Sequence, residues 1–437
     1  MSTGFDAVVV GAGPAGSAAA LTLAQAGRSV LLVERGEFPG SKNVSGAAVY
    51  SPDVLEALIP RFWESAPIER TLTRRVICVT SEESSVSLDF KSRRFAAPPY
   101  NAFSVLRPRF DRWLADQAVA AGAVLLNATV VDEVLRDASG RVNGVRARRE
   151  GGEIEAPVVI AADGVNSFLA RGAGLQRELT GHDLSLGVKE VIALDRHTVE
   201  ERFNLQPDEG VTYELLGSVT GGVAGGSFLY TNRESLSLGV IVEIASLAER
   251  RVRPYELLER FKAHPTVAPL VRGGRLIEYS AHMVPEAGQR MLATLAADGM
   301  LVAGDAAGLC FATGLYLEGI NYAITSGRAA GEAADEALAA GDTSAVGLAG
   351  YRRRLETRGV LPDFRRFRLA PRFVMGERMH TLYPGIVTGI AERVLRSQGG
   401  RPKQKLLPAV TGELRRAGVP LRRVIRDLWE GGRAFGW

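Results

Sequence analysis

A chain of 437 residues exceeds one ordinary hydrophobic core, so two or three domains are expected. With 46% hydrophobic and 23% charged residues it reads as globular, and its two cysteines, Cys78 and Cys310, exclude a disulfide scaffold and any zinc or iron–sulfur ligand set. The net charge of +4 is divided unevenly: residues 346–437 hold 20 Lys and Arg against 7 Asp and Glu, a balance of +13, which leaves −9 for residues 1–345. A basic tail on an acidic body points to an anionic partner, whether lipid headgroups, an acidic protein or nucleic acid; a solvated arginine-rich face is the plainer alternative. Nucleic acid fits least, because the tail lacks interleaved stacking aromatics. No apolar run is long enough for a membrane span, and a strand beginning within five residues of Met1 leaves no room for a signal peptide. A reduced, cytoplasmic-side location is expected.

The amino end carries the clearest signal. "FDAVVV" is a buried-strand pattern, "GAGPAG" follows at once, "SAAALTLAQAG" reads as a helix ending at Gly27, and "RSVLLVE" is a second strand ending at Glu34. This is a dinucleotide-binding βαβ unit in register. Gly11 permits the tight turn, Gly13 lets backbone approach a pyrophosphate, and Gly16 lets helix and strand pack closely. The helix N-terminus offers N–H groups and positive dipole to the phosphates. Glu34 can accept hydrogen bonds from a ribose and would repel a 2′-phosphate, which disfavours NADP in this site while FAD and NAD remain.

Next comes "GSKNVSGAAVY", residues 40–50, a loop of small residues around the single cation Lys42. Small residues let backbone approach something closely, and a lone Lys suggests that this something is negative. Further on, "APVVIAADGVNS" places Asp163-Gly164 after a strand, and "MLVAGDAAG" places Gly304-Asp305 after another. Two such turns behind one βαβ unit favour FAD, a long cofactor to which the chain must return several times. No second G-x-G-x-x-G motif offers a separate nicotinamide domain. The helix "GINYAITSGRAAGEAADEAL" is rich in Ala and Gly and can pack close, with its N-terminal dipole available to a flavin.

Residues 1–75, 105–175 and 280–345 are expected to build the FAD-binding domain, the chain leaving and returning. Segments 76–104 and 176–279 alternate as strands ("RVICVTSEESSVSLDF", "GVTYELLGSV", "GGSFLYTN", "SLSLGVIVEI") and should form an antiparallel sheet roofing the flavin, with a helix at "PYELLERFKAH". From 346 to 437 the pattern is helical, basic and interrupted by prolines. The fold class is therefore α/β, with a Rossmann-like FAD domain, an inserted antiparallel-sheet domain and a helical C-terminal region.

The "GAGPAG" start, the "ADG" and "GDAAG" turns and "VLRPRFDRWLADQA" resemble the FAD oxidoreductases that include aromatic hydroxylases and geranylgeranyl reductases. Within that group, "GSKNVSGAAVY", "GVKEVIAL", "GGSFLYTNRESLSLG", "LIEYSAHMVPEAG" and "RMHTLYPGIV" are similar to the FixC-like flavoproteins, from Phe5 to about the C-terminus. The resemblance implies a quinone-oxidoreductase-like subunit that takes electrons from an electron-transfer flavoprotein and passes them to a membrane quinone. A small ferredoxin would act as a separate iron–sulfur subunit, and the protein would sit on the inner face of the cell membrane. An FAD-dependent prenyl-lipid reductase and a non-catalytic flavin-bound scaffold remain as alternatives.

The same resemblance implies the FAD contacts. Gly11, Gly13, Pro14, Ala15 and Gly16 would lie at the pyrophosphate, and Glu34 and Arg35 at the ribose. Lys42, Asn43, Val44, Ser45 and Gly46 would lie against the flavin, with Lys42 near its N1/C2=O edge. Arg107 would meet phosphate or flavin, and Val130 would hold adenine through its backbone. Ala162, Asp163 and Gly164 would approach the pyrophosphate and ribityl chain. Gly304, Asp305, Gly308, Gly314 and Leu315 would follow, with Asp305 on a ribityl hydroxyl. The chemistry belongs to the flavin, and no metal is implied. His282 in "SAHMVP" is either a proton source for a quinone or a structural histidine. The resemblance breaks where many FixC-like chains carry Asn at the position of Ala312 and Thr-Val-Arg at Tyr316-Leu317-Glu318, so the acceptor pocket does not carry over directly.

Overall fold

The computed structural model describes residues 4–42, 46–314, 317–400 and 402–436. Asn43, Val44, Ser45, Leu315 and Tyr316, singled out above, lie outside the described residues.

A six-stranded sheet forms the first layer, in the spatial order 296–297, 300–302, 158–161, 7–10, 30–33 and 124–126. All its pairings are parallel except that of the two-residue edge strand Ala296–Ala297. The central strands Ala7–Val10, Val30–Val33 and Val158–Ala161 are buried at every position, as expected of parallel strands covered on both faces, which need continuous Val, Ile, Leu and Ala rather than alternation. Helix Pro14–Gln25 opens at the end of the first strand and lies against helix Ile320–Ala340. Small residues allow this approach: a Cβ on Gly327 would overlap the Ala15 carbonyl, and one on Gly331 would come within 2.8 Å of the Ala19 carbonyl. Helix Arg107–Ala120 also packs on Pro14–Gln25, and a small antiparallel sheet of Val131–Arg136, Val142–Ala147 and Glu153–Glu155 closes this side.

The second layer is a nine-stranded sheet running 275–285, 184–193, 235–243, 225–231, 209–217, 68–80, 102–105 and 47–50, with 85–91 paired to 68–80. Expected strands and the helix Pro254–Ala263 are present. Two features depart from the expectation. Strand Glu209–Gly217 pairs in parallel with Ile68–Thr80, so the sheet is mixed. A parallel partner needs a long crossover, and the chain provides one by passing through the first layer between the two strands. Strands Ala47–Tyr50 and the first half of Ile68–Thr80, expected with the nucleotide-binding region, join this sheet through Ala102–Val105.

The C-terminal region is mainly helical, with longer helices at Tyr383–Leu395, Leu406–Arg416 and Leu421–Phe435 and non-helical chain at 396–400 and 402–405. It folds back on the second sheet, where a Cβ on Gly217 would come within 2.8 Å of Pro384. No helix among the described residues is long and apolar enough to cross a membrane.

Candidate functional site

A cleft of about 520 Å³ runs between the two sheets and is closed on one side by Pro371, Val374 and Met375 of the C-terminal region. Its first wall is the βαβ unit. Gly11 has φ +100°, and a Cβ there would overlap the Ala162 carbonyl; a Cβ on Gly16 would overlap the Gly11 carbonyl. These two glycines are packing requirements. Gly13 differs, because a Cβ there would meet nothing within 4 Å while the residue lines the cleft at the start of helix Pro14–Gln25. The space is kept open for a group outside the chain, and the N–H groups of the first helical turn face it.

Glu34 is fixed at the end of the second strand, its Oε2 accepting the Ala12 N–H at 2.9 Å and its Oε1 the Gly36 N–H at 2.7 Å. Pro14, Ala15, Arg35, Gly46, Ala162, Gly164 and Gly314 also border the cleft. Val130 lines it with its carbonyl already taken by the Arg148 N–H at 2.8 Å, so an adenine there would be met through the Val130 N–H. Lys42 stands at the rim with its side chain exposed.

Three residues expected at the cofactor serve packing instead. Gly16, Gly304 and Gly308 do not border the cleft: Gly304 (φ +64°) sits against the Ala15 methyl and Gly308 against the Met291 carbonyl, positions no larger residue could share. The Asp163 carboxylate reaches the cleft but accepts the Leu169 N–H at 3.1 Å, tying down its own turn, and burial raises its pKa. Asp305 faces the cleft from the turn Gly304–Ala307, its carboxyl pushed up to about 6 by burial, with Arg107 opposing that shift. Arg107 itself is held by a bidentate pair with Asp111.

The opposite wall contains chemistry that sequence reading left unassigned. Lys189, inside "GVKEVIAL", faces the cleft with its ammonium lowered to about 8 by burial and then by Arg107. The signal was a lysine interrupting the apolar strand Leu184–Ala193, beside Glu190, which pairs with Lys262 at 2.9 Å. His282 lies on the adjoining strand opposite Gly187. Burial, then Lys189, Arg107 and Arg35, lower its pKa to about 4, so it is a neutral imidazole at pH 7 rather than an acid.

A second group lies around Tyr50. Its hydroxyl meets Glu214 at 3.4 Å, and Arg75 Nε donates to both Glu214 oxygens at 3.0 and 2.8 Å. Glu318 is near enough to Tyr50 and Arg75 to affect their charges and accepts from Asn321 at 2.6 Å; burial raises its pKa and Arg75 opposes this. Ile77, Leu216, Phe228, Ile241, Val284 and Ala312 add apolar wall. Beyond them lie Cys310 and Glu286, both buried and bordering the cleft. Among the described residues no cluster of His, Cys, Asp and Glu could hold a metal ion.

The donor set fits FAD: an open cradle at Gly13, a fixed acceptor at Glu34, and the cations Arg35, Arg107 and Lys189 around one cleft. Bound FAD supplies reversible two-electron transfer, and the cations on its walls would favour the charge it gains on reduction.

Comparison with known proteins agrees with this reading. The FAD binding domain family matches residues 4–351. The Escherichia coli K12 protein named "Protein FixC" is 43% identical over 91% of this chain and 92% of its own. The "Probable electron transfer flavoprotein-quinone oxidoreductase YdiS" of the same organism is 41% identical over 95% and 96%. Among solved structures, a geranylgeranyl bacteriochlorophyll reductase-like protein from Thermoplasma acidophilum shares the fold with a TM-score of 0.72 at 24% identity, covering 97% of this chain and 99% of its own. With a βαβ unit lining a cleft between two sheets and these relatives across nearly its whole length, the chain belongs to the FAD-binding family that includes FixC and is an FAD-dependent oxidoreductase.

Proposed function

We propose that this protein accepts electrons from an electron-transfer flavoprotein, stores them on FAD and passes them to a membrane quinone while resting on an anionic membrane surface. A relative named as an electron transfer flavoprotein-quinone oxidoreductase supports the reaction class. In this reading the cleft-lining residues Gly13, Glu34, Arg35, Lys42, Arg107, Val130, Gly164 and Asp305 contact FAD, and the apolar wall around Tyr50 and Phe228 takes the acceptor ring. Residues 346–437 serve as the docking region, and a small iron–sulfur subunit is an expected partner.

The observation that carries the membrane part is the last helix, Leu421–Phe435. Leu421, Ile425, Leu428 and Trp429 form one stripe at helical spacing, each more than half exposed. Arg422, Arg423, Arg426 and Arg433 flank it, with the Arg433 guanidinium 4.8 Å from the centre of the Trp429 ring. The opposite face is anchored: Asp427 takes Arg378 in a bidentate pair at 2.6 and 2.7 Å and the Tyr383 hydroxyl, and Phe435 packs on Phe373. An apolar stripe bordered by arginines, held outward by such anchors, matches a helix lying in a bilayer interface.

The test is reduction of a long-chain quinone in anionic vesicles by the chemically reduced protein, beside a water-soluble acceptor. The expected result is vesicle binding that weakens with salt and quinone reduction that depends on it. Protein that reoxidises with the soluble acceptor yet ignores vesicles and quinone overturns the reading. Saturation of a prenyl lipid would favour the reductase alternative instead.

A further inference from the structure

Quinone reduction takes up two electrons and two protons, and the acceptor wall of the cleft is formed by the second sheet. Glu286 borders the cleft at 8% exposure, immediately after the strand Arg275–Pro285. Its Oε2 accepts the Ser185 hydroxyl. Ser185 stands directly across from Glu243 in the antiparallel pairing of strands Leu184–Ala193 and Ser235–Glu243, so the two side chains leave the sheet on the same face. Glu243 is 16% exposed and meets His182 Nδ1 at 3.1 Å, while His182 is 65% exposed. Glu286 and Ser185 are thus a buried hydrogen-bonded pair, Glu243 stands across the strand pair from Ser185, and His182 beside Glu243 reaches solvent.

We propose that Glu286 is the proton donor to the acceptor in this cleft and that Ser185, Glu243 and His182 return its proton from water. The proposal rests on the quinone reading above. Bound FAD, once reduced, would supply both electrons and one proton. The Glu286 O–H bond breaks, an O–H bond forms on the second acceptor oxygen, and the quinone leaves as quinol. The carboxylate left behind is reprotonated through Ser185 and Glu243 from His182 and solvent, which restores the starting state with one proton consumed from water.

The charge environment suits an acid. Burial, reinforced by Glu243, pushes the Glu286 carboxyl up to about 7, with the Ser185 hydrogen bond opposing. Other titratable or charged groups on this side are Cys310 and Asp305 of the neighbouring turn, together with Asp183, whose carbonyl accepts the Glu286 N–H and whose carboxylate is paired with Arg177. A carboxyl that titrates near neutrality donates and recovers a proton with little driving force lost either way.

The experiment compares full-length, FAD-loaded wild type with E286Q, S185A and H182A. Each is reduced chemically and reoxidised anaerobically by a short-chain quinone or by ferricenium, which takes electrons without protons. E286Q should slow the quinone step roughly 100-fold, the range of one general acid, while leaving the ferricenium step within about twofold. The wild-type quinone rate should fall as pH rises through neutrality, and that dependence should vanish in E286Q. In repeated turnover with excess chemical reductant, His182→Ala should slow quinone reduction, with added imidazole restoring it; because His182 is exposed, this variant keeps the test sound if E286Q folds poorly. Independently of turnover, the infrared carbonyl band of a protonated carboxyl at neutral pH should be missing from E286Q, or from Glu286→Asp shifted in frequency. A quinone-active wild type matched by E286Q in rate and pH profile, or an unchanged infrared band, overturns the relay. Wild type that reacts with ferricenium and not with quinone overturns the quinone reading instead.

Discussion

Arg107 and Asp111 sit one helical turn apart and form a two-pronged ion pair, Nε to Oδ1 and Nη2 to Oδ2 both at 2.7 Å, with Asp111 wholly buried and Arg107 facing the cleft. Asp111 also lies under the loop before Lys42, where a Cβ on Gly40 would come within 3.0 Å of its Cβ. The pair thus joins the helix, the loop and the wall of the cleft. Asp111→Ala leaves a guanidinium without its partner in a largely water-poor place, and should cost about 3 kcal/mol in urea unfolding and reduce bound FAD. Asp111→Glu should recover part of both.

Gly13 and Gly16 separate ligand space from packing space. Gly13→Ala adds a methyl where the chain has nothing within 4 Å, so the protein should keep wild-type stability and lose FAD affinity by tenfold or more, read by fluorescence titration of apoprotein. Gly16→Ala forces its methyl into the Gly11 carbonyl, so stability and FAD content should fall together. Equal FAD affinity in Gly13→Ala and wild type would contradict the placement of the pyrophosphate.

These contrasts show what the sequence could disclose. The βαβ unit was legible because strand, glycine turn, helix and acid are local, each with its own period. Helix Ile320–Ala340 was legible for the same reason, its Ala and Gly announcing close packing. Lys189, Tyr50, Arg75 and Glu286 were not, because they meet only when strands far apart in the chain pair into one sheet, and pairing register cannot be read from a single strand. The parallel pairing of Glu209–Gly217 with Ile68–Thr80 escaped likewise, since an alternating pattern looks the same in either direction. Asp163 borders the cleft and Gly304 does not: the carboxylate of the first is taken by the Leu169 N–H, and the space beside the second by the Ala15 methyl.

Lys189 carries a signed pH prediction. Its folded pKa of about 8 lies below the ordinary lysine value of 10.5, so between these values the unfolded chain binds more protons. Stability of the apoprotein should therefore rise with pH across that window, and Lys189→Met should remove this part of the slope. In the holoprotein, Lys189→Met should lower the two-electron potential by ~30 mV or more, the equivalent of about 1.4 kcal/mol, if its charge offsets that of reduced FAD. Lys42→Met should shift the potential less, because Lys42 is exposed and screened.

The turn before Ser185 should respond to acid. Asp183 accepts Arg177 at 2.6 and 2.8 Å and the Thr180 N–H and hydroxyl, and these bonds hold its carboxyl well below the usual range. Its stabilising contribution is full above pH about 4 and is lost as pH falls toward the depressed folded value. Because Arg177 is 45% exposed, the contribution is reduced to ~1–2 kcal/mol. Asp183→Asn should unfold earlier in urea at pH 6, and its deficit relative to wild type should close as the pH is taken below about 4.

The C-terminal helix offers a cleaner test than truncation. Removing the chain beyond Pro402 would strip Asp427 from Arg378 and Tyr383, Glu413 from Arg393, and Phe435 from Phe373, so lost function could reflect lost packing. Leu428 and Trp429 have their side chains largely in solvent, 65% and 57% exposed, and substitution there leaves those anchors intact. Leu428→Asp with Trp429→Asp should therefore keep FAD content and urea stability while abolishing binding to anionic vesicles. Trp429 also reports directly: its fluorescence should shift to the blue on adding vesicles at low salt and return as salt rises, since each engaged arginine contributes about 1 kcal/mol of screened attraction. Quinone in the bilayer should then be reduced slowly by the double variant, while ferricenium reoxidises it at the wild-type rate. If the variant binds vesicles as wild type does, the stripe serves another surface, and its capture of purified electron-transfer flavoprotein becomes the decisive comparison.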